Sequence, residues 1–147
     1  WGVAIEAPQD PGNLGTILRT LEAAGADGLI VLGSGTDIFH PTAVRASMGA
    51  LFWKQVVYAS LDEFRAWQNV HRYHIYGSSA KGTADYRAVK YHRPAILLLG
   101  SEREGLSPPA FSMCDEVVRL PMHGRATSLN LSVAAGVLIY EIAHALR

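Results

Sequence analysis

Six short apolar runs alternate with segments of helical periodicity along almost the whole chain. The apolar runs occupy residues 3–7, 28–33, 54–59, 73–79, 95–101 and 116–121. The helical segments occupy residues 15–24, 41–52, 61–69, 108–113 and 128–146. Several apolar runs are unbroken, as is typical of strands buried on both faces, and strands that alternate with helices pair in parallel. The sequence therefore predicts an α/β fold, a mostly parallel sheet with helices on both faces.

Length and composition favour a single buried core. The chain has 147 residues, of which 49% are hydrophobic, and this is too short for two ordinary domains. It contains no apolar stretch of about 18 residues that could cross a membrane. Cys114 is the only cysteine, so the sequence offers neither a disulfide framework nor a Cys/His metal cluster, and it favours a reducing cytoplasm. We therefore expect one cytoplasmic domain, residues 1–147, that comes from a longer protein.

The net charge does not support strong electrostatic binding to nucleic acid over the whole surface. Thirteen lysines and arginines balance thirteen aspartates and glutamates. The distribution is less even, because residues 65–93 contain six lysines or arginines and three histidines against the single acid Asp85. This stretch is either an ordinary solvated surface or a surface that faces phosphate groups.

The common phosphate-binding loops are absent. No G-x-G-x-x-G follows the first apolar run, and G-x-x-x-x-G-K-[ST] does not occur in the chain. Ligands of open parallel sheets usually bind at the carboxyl ends of the strands. A cofactor of this chain would therefore be held there by other loops, and three loops are candidates.

The first loop and the helix after it read DPGNLGTILRT, residues 10–20. Leu14 and Leu18 belong to an apolar helical stripe, and Asn13 is predicted to cap the start of the helix. At about 100° per residue, Arg19 points away from the centre of that stripe. Core packing therefore does not explain Arg19, which is either a solubilising residue or a functional one.

The second loop reads LLLGSEREGLS, residues 97–107. An apolar strand ends at Gly100, and Gly105 allows a turn before Pro108 starts a helix. Glu102 lies between the two glycines. A plain strand-to-helix turn needs one glycine or one cap, so two glycines around three charged residues are more than such a turn requires.

The third loop reads LPMHGRATSLNLSVAAGV, residues 120–137. Pro121 ends a strand, and Ser128 is predicted to cap the last helix. The small residues Ser132, Ala134, Ala135 and Gly136 allow another backbone to pack closely against this helix. Asn130 has no such explanation, because a cap alone needs only Ser128.

Together, the three loops resemble the three ordered motifs of the SpoU (TrmH-like) RNA 2′-O-ribose methyltransferase family of the SPOUT superfamily. The segment HPTAVRASMGALF, residues 40–52, is also similar to a family segment, and the resemblance extends over about residues 2–146. It implies a C-terminal deep trefoil knot, S-adenosyl-L-methionine as cofactor, and methylation of a ribose 2′-hydroxyl in tRNA or rRNA. It also implies a homodimer. The N-terminal RNA-binding domain that the family usually carries before the first strand is expected to be missing from this chain.

The resemblance assigns roles to residues at matching positions. The active-site positions are occupied by Arg19, Asn13, Glu102, Ser128 and Asn130. The cofactor-binding positions are occupied by Gly100, Leu120, Met122, Leu129 and Ser78, with Ser79 as an alternative to Ser78, and no metal is expected. A guanidinium stays protonated at neutral pH, so Arg19 is expected to orient a phosphate and stabilise the forming alkoxide rather than act as a base. Glu102 and Asn130 are expected to position Arg19 and the ribose.

Three other interpretations compete with a ribose methyltransferase. A non-catalytic knotted module for RNA binding or dimerisation would not need Asn13, Arg19 and Glu102 together with Asn130. A SPOUT base methyltransferase is not expected to carry the Asn13/Arg19 pair or the SLNLS sequence. An ordinary nucleotide-binding α/β domain is disfavoured because the phosphate loops are missing. Arg125 makes the third loop unusually basic for the family, which bears on the choice of RNA.

Overall fold

The computed structural model describes all 147 residues and contains the predicted alternation of strands and helices. The strands are β1 (Gly2–Glu6), β2 (Gly28–Leu32), β3 (Gln55–Ala59), β4 (His74–Ser78), β5 (Ala84–Asp85), β6 (Ala95–Leu99) and β7 (Glu116–Arg119). The helices are α1 (Pro11–Ala23), α2 (Pro41–Ala46), α3 (Leu61–His71), α4 (Pro108–Ser112) and α5 (Leu131–Ala145), with a 3₁₀ turn at Ala50–Phe52. None of these helices combines the length and the apolar character needed to cross a bilayer.

All seven strands pair in parallel in a single sheet, in the order β3-β2-β1-β6-β4-β7-β5. The predicted α/β fold is confirmed. Every residue of the central strand β6 is buried, as its unbroken apolar run predicts. Strand β5 is missing from the sequence prediction because a strand of two residues shows no periodicity.

Side chains of the central strands alternate between two hydrophobic cores. Val3 and Ile5 face the first core, which is completed by residues of α1, α2 and α5. Ala4 faces the second core, together with Phe64 of α3 and Ala110 of α4. Successive side chains of a strand point to opposite faces, so one strand serves both cores. Helices therefore cover both faces of the sheet, as predicted.

Two helices begin at other residues than the sequence predicts, because in each case a different side chain caps the helix. Helix α1 begins at Pro11, and Asp10 rather than Asn13 is its cap, with Asp10 Oδ1 accepting a hydrogen bond from Asn13 N at 2.8 Å. Helix α5 begins at Leu131, and its cap is Asn130 rather than Ser128. The side chains of Asn13 and Ser128 therefore do not cap these helices.

The predicted helix over residues 41–52 is interrupted after its first six residues. Helix α2 ends at Ala46, and only the short 3₁₀ turn at Ala50–Phe52 follows. Between them, Met48 and Gly49 have left-handed backbone conformations, with φ of 49° and 89°. A left-handed residue cannot continue a right-handed helix. The periodicity of the apolar residues carries no sign of this break.

The chain crosses itself at β7, which lies between β4 and β5 in the sheet. Residues 79–83, which join β4 to β5, therefore pass across β7, and Ser79 N donates a hydrogen bond to Val118 O at 3.0 Å in this crossing. Such crossings are rare in proteins. The trefoil knot that the family resemblance implies requires such a crossing, and the closed knot itself stays a prediction.

Candidate active site

A first cavity lies at the carboxyl ends of the parallel strands β4, β6 and β7. Its volume is about 670 Å³. It is lined by all five residues predicted to bind the cofactor, Ser78, Gly100, Leu120, Met122 and Leu129, and by Ser79. The structure thus brings together residues at or after the ends of β4, β6 and β7, as expected at this edge of a parallel sheet.

A second, smaller cavity of about 570 Å³ adjoins the first. It is lined by four of the five predicted catalytic residues, Asn13, Glu102, Ser128 and Asn130. The two cavities share part of their walls, formed by Glu102, Arg103, Ser128, Leu129 and Leu131. A group bound in one cavity would therefore lie directly beside a group bound in the other.

The carboxylate of Glu102 holds the first loop in place. It accepts hydrogen bonds from the backbone N–H groups of Gln9 at 2.9 Å and Asp10 at 3.0 Å. Asn13 Nδ2 donates a third, longer bond to the same carboxylate at 3.4 Å. Gln9 and Asp10 precede α1, so their bonds to Glu102 join the loop after β6 to the loop after β1.

Glu102 also determines how the two asparagine amides are oriented. An ionised carboxylate can only accept hydrogen bonds, so Asn13 must turn its Nδ2 toward Glu102 and its Oδ1 away from it. Asn13 Oδ1 then accepts a bond from Asn130 Nδ2 at 3.1 Å. Asn130 Oδ1 is left to cap α5, accepting from Ser132 N at 2.9 Å. The second N–H of Asn130 Nδ2 remains available to a ligand.

Gly100 is required by the way the second loop folds back on itself. A side chain at Gly100 would place its Cβ 2.0 Å from the carbonyl carbon of Gly105 and 2.2 Å from Leu106 N. Ser101 and Gly105 exchange backbone hydrogen bonds at 3.1 and 3.0 Å, which closes the loop. Close packing of this loop therefore accounts for the glycine, alongside any contact with a ligand in the first cavity.

Arg19, the fifth predicted catalytic residue, is not brought to either cavity of its own chain. Its side chain is exposed and makes no hydrogen bond or ion pair. Six residues beyond Asn13 on α1, it lies about 9 Å further along the helix axis and about 240° round from Asn13. Its catalytic role therefore stays a prediction that needs another element or another protomer beside it.

Several residues of the cavities were not assigned from the sequence. Arg103 lines both cavities, and Lys81 and Arg119 line the first. Arg103 carried a visible signal, because it is one of the three charged residues between Gly100 and Gly105. Lys81 belongs to the basic stretch of residues 65–93, but neither it nor Arg119 could be assigned to this cavity, since their placement depends on the crossing of residues 79–83 over β7.

The basic stretch of residues 65–93 does not gather at the cavities. Lys81 is the only one of its lysines and arginines that lines either cavity. Arg72 caps the end of α3 just before β4, and Arg93 lies just before β6. Both are therefore at the amino ends of the parallel strands, whereas the cavities are at the carboxyl ends. Arg87 is paired with Asp85 at 3.6 Å.

Cys114 is not suited to nucleophilic chemistry. It packs against the second core, and its thiol donates a hydrogen bond to Ala110 O at 3.2 Å. Burial raises the pKa of the Cys114 thiol to about 12, with a further contribution from Asp115. A thiol with so high a pKa forms almost no thiolate near neutral pH.

A protein-family comparison identifies the class to which this fold and these cavities belong. The model of the SpoU rRNA Methylase family matches residues 2–140. Because this match covers nearly the whole length, the chain belongs to the SpoU rRNA methylase family, and the resemblance of the three loops is confirmed.

Individual relatives are rRNA methyltransferases. The chain is 38% identical over 146 residues to the 23S rRNA (uridine(2479)-2′-O)-methyltransferase of Streptomyces viridochromogenes, which covers 95% of this chain and 51% of that protein. It is 35% identical to the 23S rRNA (guanosine(2553)-2′-O)-methyltransferase of Bacillus subtilis, covering 94% and 56%. The AdoMet-bound rRNA methyltransferase from Sinorhizobium meliloti matches with a TM-score of 0.95 and 38% identity, over 99% of this chain and 56% of that one. The chain thus spans about half the length of these relatives.

Proposed function

We propose that residues 1–147 form the catalytic domain of an S-adenosylmethionine-dependent methyltransferase that acts on a ribose 2′-hydroxyl of tRNA or rRNA. The observation that carries this proposal is the wall shared by the two cavities, in which Glu102 and Ser128 border both. Two relatives are 2′-O-methyltransferases of rRNA, which supports a ribose rather than a base as the acceptor. Cys114, the only cysteine, is half-buried and unpaired, which supports a cytoplasmic location.

The first cavity suits a nucleoside-containing cofactor. Its volume of about 670 Å³ lies within the range of about 300–1,000 Å³ that is usual for small-ligand sites. Leu99 and Leu120 give it an apolar part, and the hydroxyls of Ser78 and Thr127 give it a polar part. When bound, S-adenosylmethionine supplies a methyl group on a positively charged sulfur, open to displacement by an oxygen nucleophile.

The second cavity supplies groups that position a ribose and favour loss of its proton. The free N–H of Asn130 Nδ2 can donate a hydrogen bond to the reacting oxygen and stabilise the charge that develops on it. Ser128, which makes no hydrogen bond of its own, borders the same space. As the new oxygen–carbon bond forms and the sulfur–carbon bond breaks, the hydroxyl proton passes to a substrate phosphate or to solvent.

The outer face of α5 is partly uncovered and lies beside the helix that carries Arg19. Val133, Val137 and Tyr140 follow one another at helical spacing and are 53%, 38% and 53% exposed, so they form an uncovered apolar stripe. Helix α1, which carries Arg19, packs beside α5. We infer that two copies meet on this stripe and that Arg19 of one protomer serves the second cavity of the other.

Alkaline cleavage of the product RNA tests whether the methyl group is on a ribose 2′-oxygen. We expect the protein to transfer the methyl group of S-adenosylmethionine to an unmodified 23S rRNA or tRNA transcript. The nucleotide so modified should resist alkaline cleavage, because a 2′-O-methyl group cannot attack the neighbouring phosphate. A methylated RNA with no alkali-resistant linkage would indicate a base methyltransferase, and absence of transfer would favour the non-catalytic module.

Cofactor binding should depend on the first cavity and need no added metal. Calorimetry on chelator-treated protein should detect S-adenosylmethionine or its demethylated product. Met122→Asp, which puts a charge into the cavity lining, should weaken the affinity about tenfold or more. Met48→Asp is the matched control, because Met48 is 69% exposed and lines neither cavity. Equal affinities for the two variants would argue against this cavity as the cofactor site.

Dimerisation should depend on the stripe of α5. Sedimentation at micromolar concentration should give a species of about twice the chain mass of 15.9 kDa. Val137→Asp should produce monomers, because an interface cannot bury an unpaired carboxylate cheaply. Val70→Asp makes the same change at a residue of α3 that is 75% exposed, and this variant should remain dimeric. A wild-type monomer would contradict the proposed interface.

A further inference from the structure

Arg103 occupies a position that no other cation of the chain shares. It lines the first and the second cavity, between Glu102 and Glu104 in the loop after β6. The lining of the second cavity contains no other lysine or arginine. A positive charge in the shared wall can act on ligands in both cavities.

The guanidinium of Arg103 has no partner within the chain. It takes part in no hydrogen bond, and the two ion pairs of the structure join Arg87 to Asp85 and the amino group of Trp1 to Asp27. The carboxylates of the second cavity are engaged elsewhere. Glu102 accepts from three N–H donors, and Asp10 accepts from Asn13 N. Arg103 is exposed at the wall of both cavities, so its guanidinium, with five N–H donors and no partner in the chain, is free to pair with a ligand there.

The ligand that suits this group follows from the proposed function, on which the inference rests. In RNA, the carbon that bears the 2′-hydroxyl is bonded to the carbon that bears the 3′-phosphate. A ribose in the second cavity would therefore carry a phosphate into its immediate surroundings. A guanidinium matches a phosphate with two parallel N–H donors. We propose that Arg103 binds the 3′-phosphate of the nucleotide that is methylated, and so positions the ribose.

A direct titration separates this phosphate site from the rest of the reaction. The probes are uridine and guanosine 3′-monophosphates, each compared with its nucleoside by NMR on protein saturated with S-adenosylhomocysteine. The wild type should bind the monophosphates more tightly than the nucleosides. Arg103→Gln should weaken monophosphate binding about tenfold and leave nucleoside binding unchanged, as expected for the loss of a charge-assisted hydrogen bond. Arg65→Gln, an exposed arginine of α3 outside both cavities, should behave as wild type.

Two further measurements test whether Arg103 binds the carboxylate of the cofactor instead of a phosphate of the RNA. Arg103→Gln should bind S-adenosylmethionine as tightly as the wild type, while its KM for a methyl-accepting transcript rises about tenfold and kcat changes little. A loss of S-adenosylmethionine affinity with no loss for methylthioadenosine, which lacks the carboxylate, would overturn the proposal in favour of the cofactor carboxylate. Equal binding of the monophosphates by wild type and Arg103→Gln would also overturn it.

The proposed function and the phosphate site can fail separately. If the wild type methylates no RNA, the proposed function fails, and the nucleotide titration still reports on Arg103. If the wild type methylates RNA and Arg103→Gln does so with an unchanged KM, the proposed function stands and the assignment of Arg103 is wrong.

Discussion

Arg19→Ala is expected to slow methyl transfer to RNA by roughly 100-fold or more while leaving the affinity for S-adenosylmethionine nearly unchanged. The physical reason is that Arg19 lines no part of the first cavity, whereas the proposed dimer would place it beside the partner's second cavity, where the ribose and its phosphates would bind. Arg19→Lys should recover little activity, because an ammonium keeps the charge but loses the planar pair of donors. Single-turnover transfer to a substrate transcript is the measurement.

Mixed dimers test whether Arg19 acts across the interface. Arg19→Ala and Asn130→Ala should each be nearly inactive alone. Mixing them under conditions of subunit exchange should recover activity, because one cavity of each mixed dimer then has an intact Asn130 and an intact Arg19 from the other protomer. Arg45→Ala, an exposed arginine on α2, is the matched control and should be fully active. Near-normal turnover by Arg19→Ala would return this residue to the role of a solubilising surface charge.

Gly100→Ala is expected to destabilise the fold by roughly 3 kcal/mol or more, the range for severe overpacking. The added Cβ would lie 2.0 Å from a backbone carbon of Gly105, and backbone cannot move aside as a flexible side chain can. Relief of this clash would open the hydrogen bonds between Ser101 and Gly105 and displace Glu102. Urea unfolding monitored by circular dichroism gives the free energy of unfolding.

Gly124→Ala provides the control for this change. No atom lies within 4 Å of a Cβ built at Gly124, and its backbone is not left-handed, so the substitution should change the free energy of unfolding by less than about 0.5 kcal/mol. Gly100→Ala should also lose S-adenosylmethionine binding, because Gly100 lines the first cavity. Equal stability of the two variants would show that the second loop can rearrange without cost.

The fold could be predicted because the burial of a strand or helix leaves a pattern of apolar residues within a short stretch of sequence. Strand β6 is buried over all five residues, and an unbroken apolar run is the direct result. Helix starts were harder to predict, since two suitable caps lie close together at each start. Asp10 competes with Asn13, and Asn130 competes with Ser128, and only the path of the preceding chain selects between them. The cap also explains Asn130, which the sequence alone left unexplained.

The sequence by itself determined which loops carry the site and that their strands run in parallel, because glycines, caps and apolar runs act locally. Only the tertiary structure decided which side chains meet. Asn13 bonds to Glu102 and to Asn130 across 89 and 117 positions of the chain, which depends on β1 pairing with β6 and α1 packing on α5. The same packing turns Arg19 away, because burying the apolar stripe of α1 sets the rotation of the whole helix.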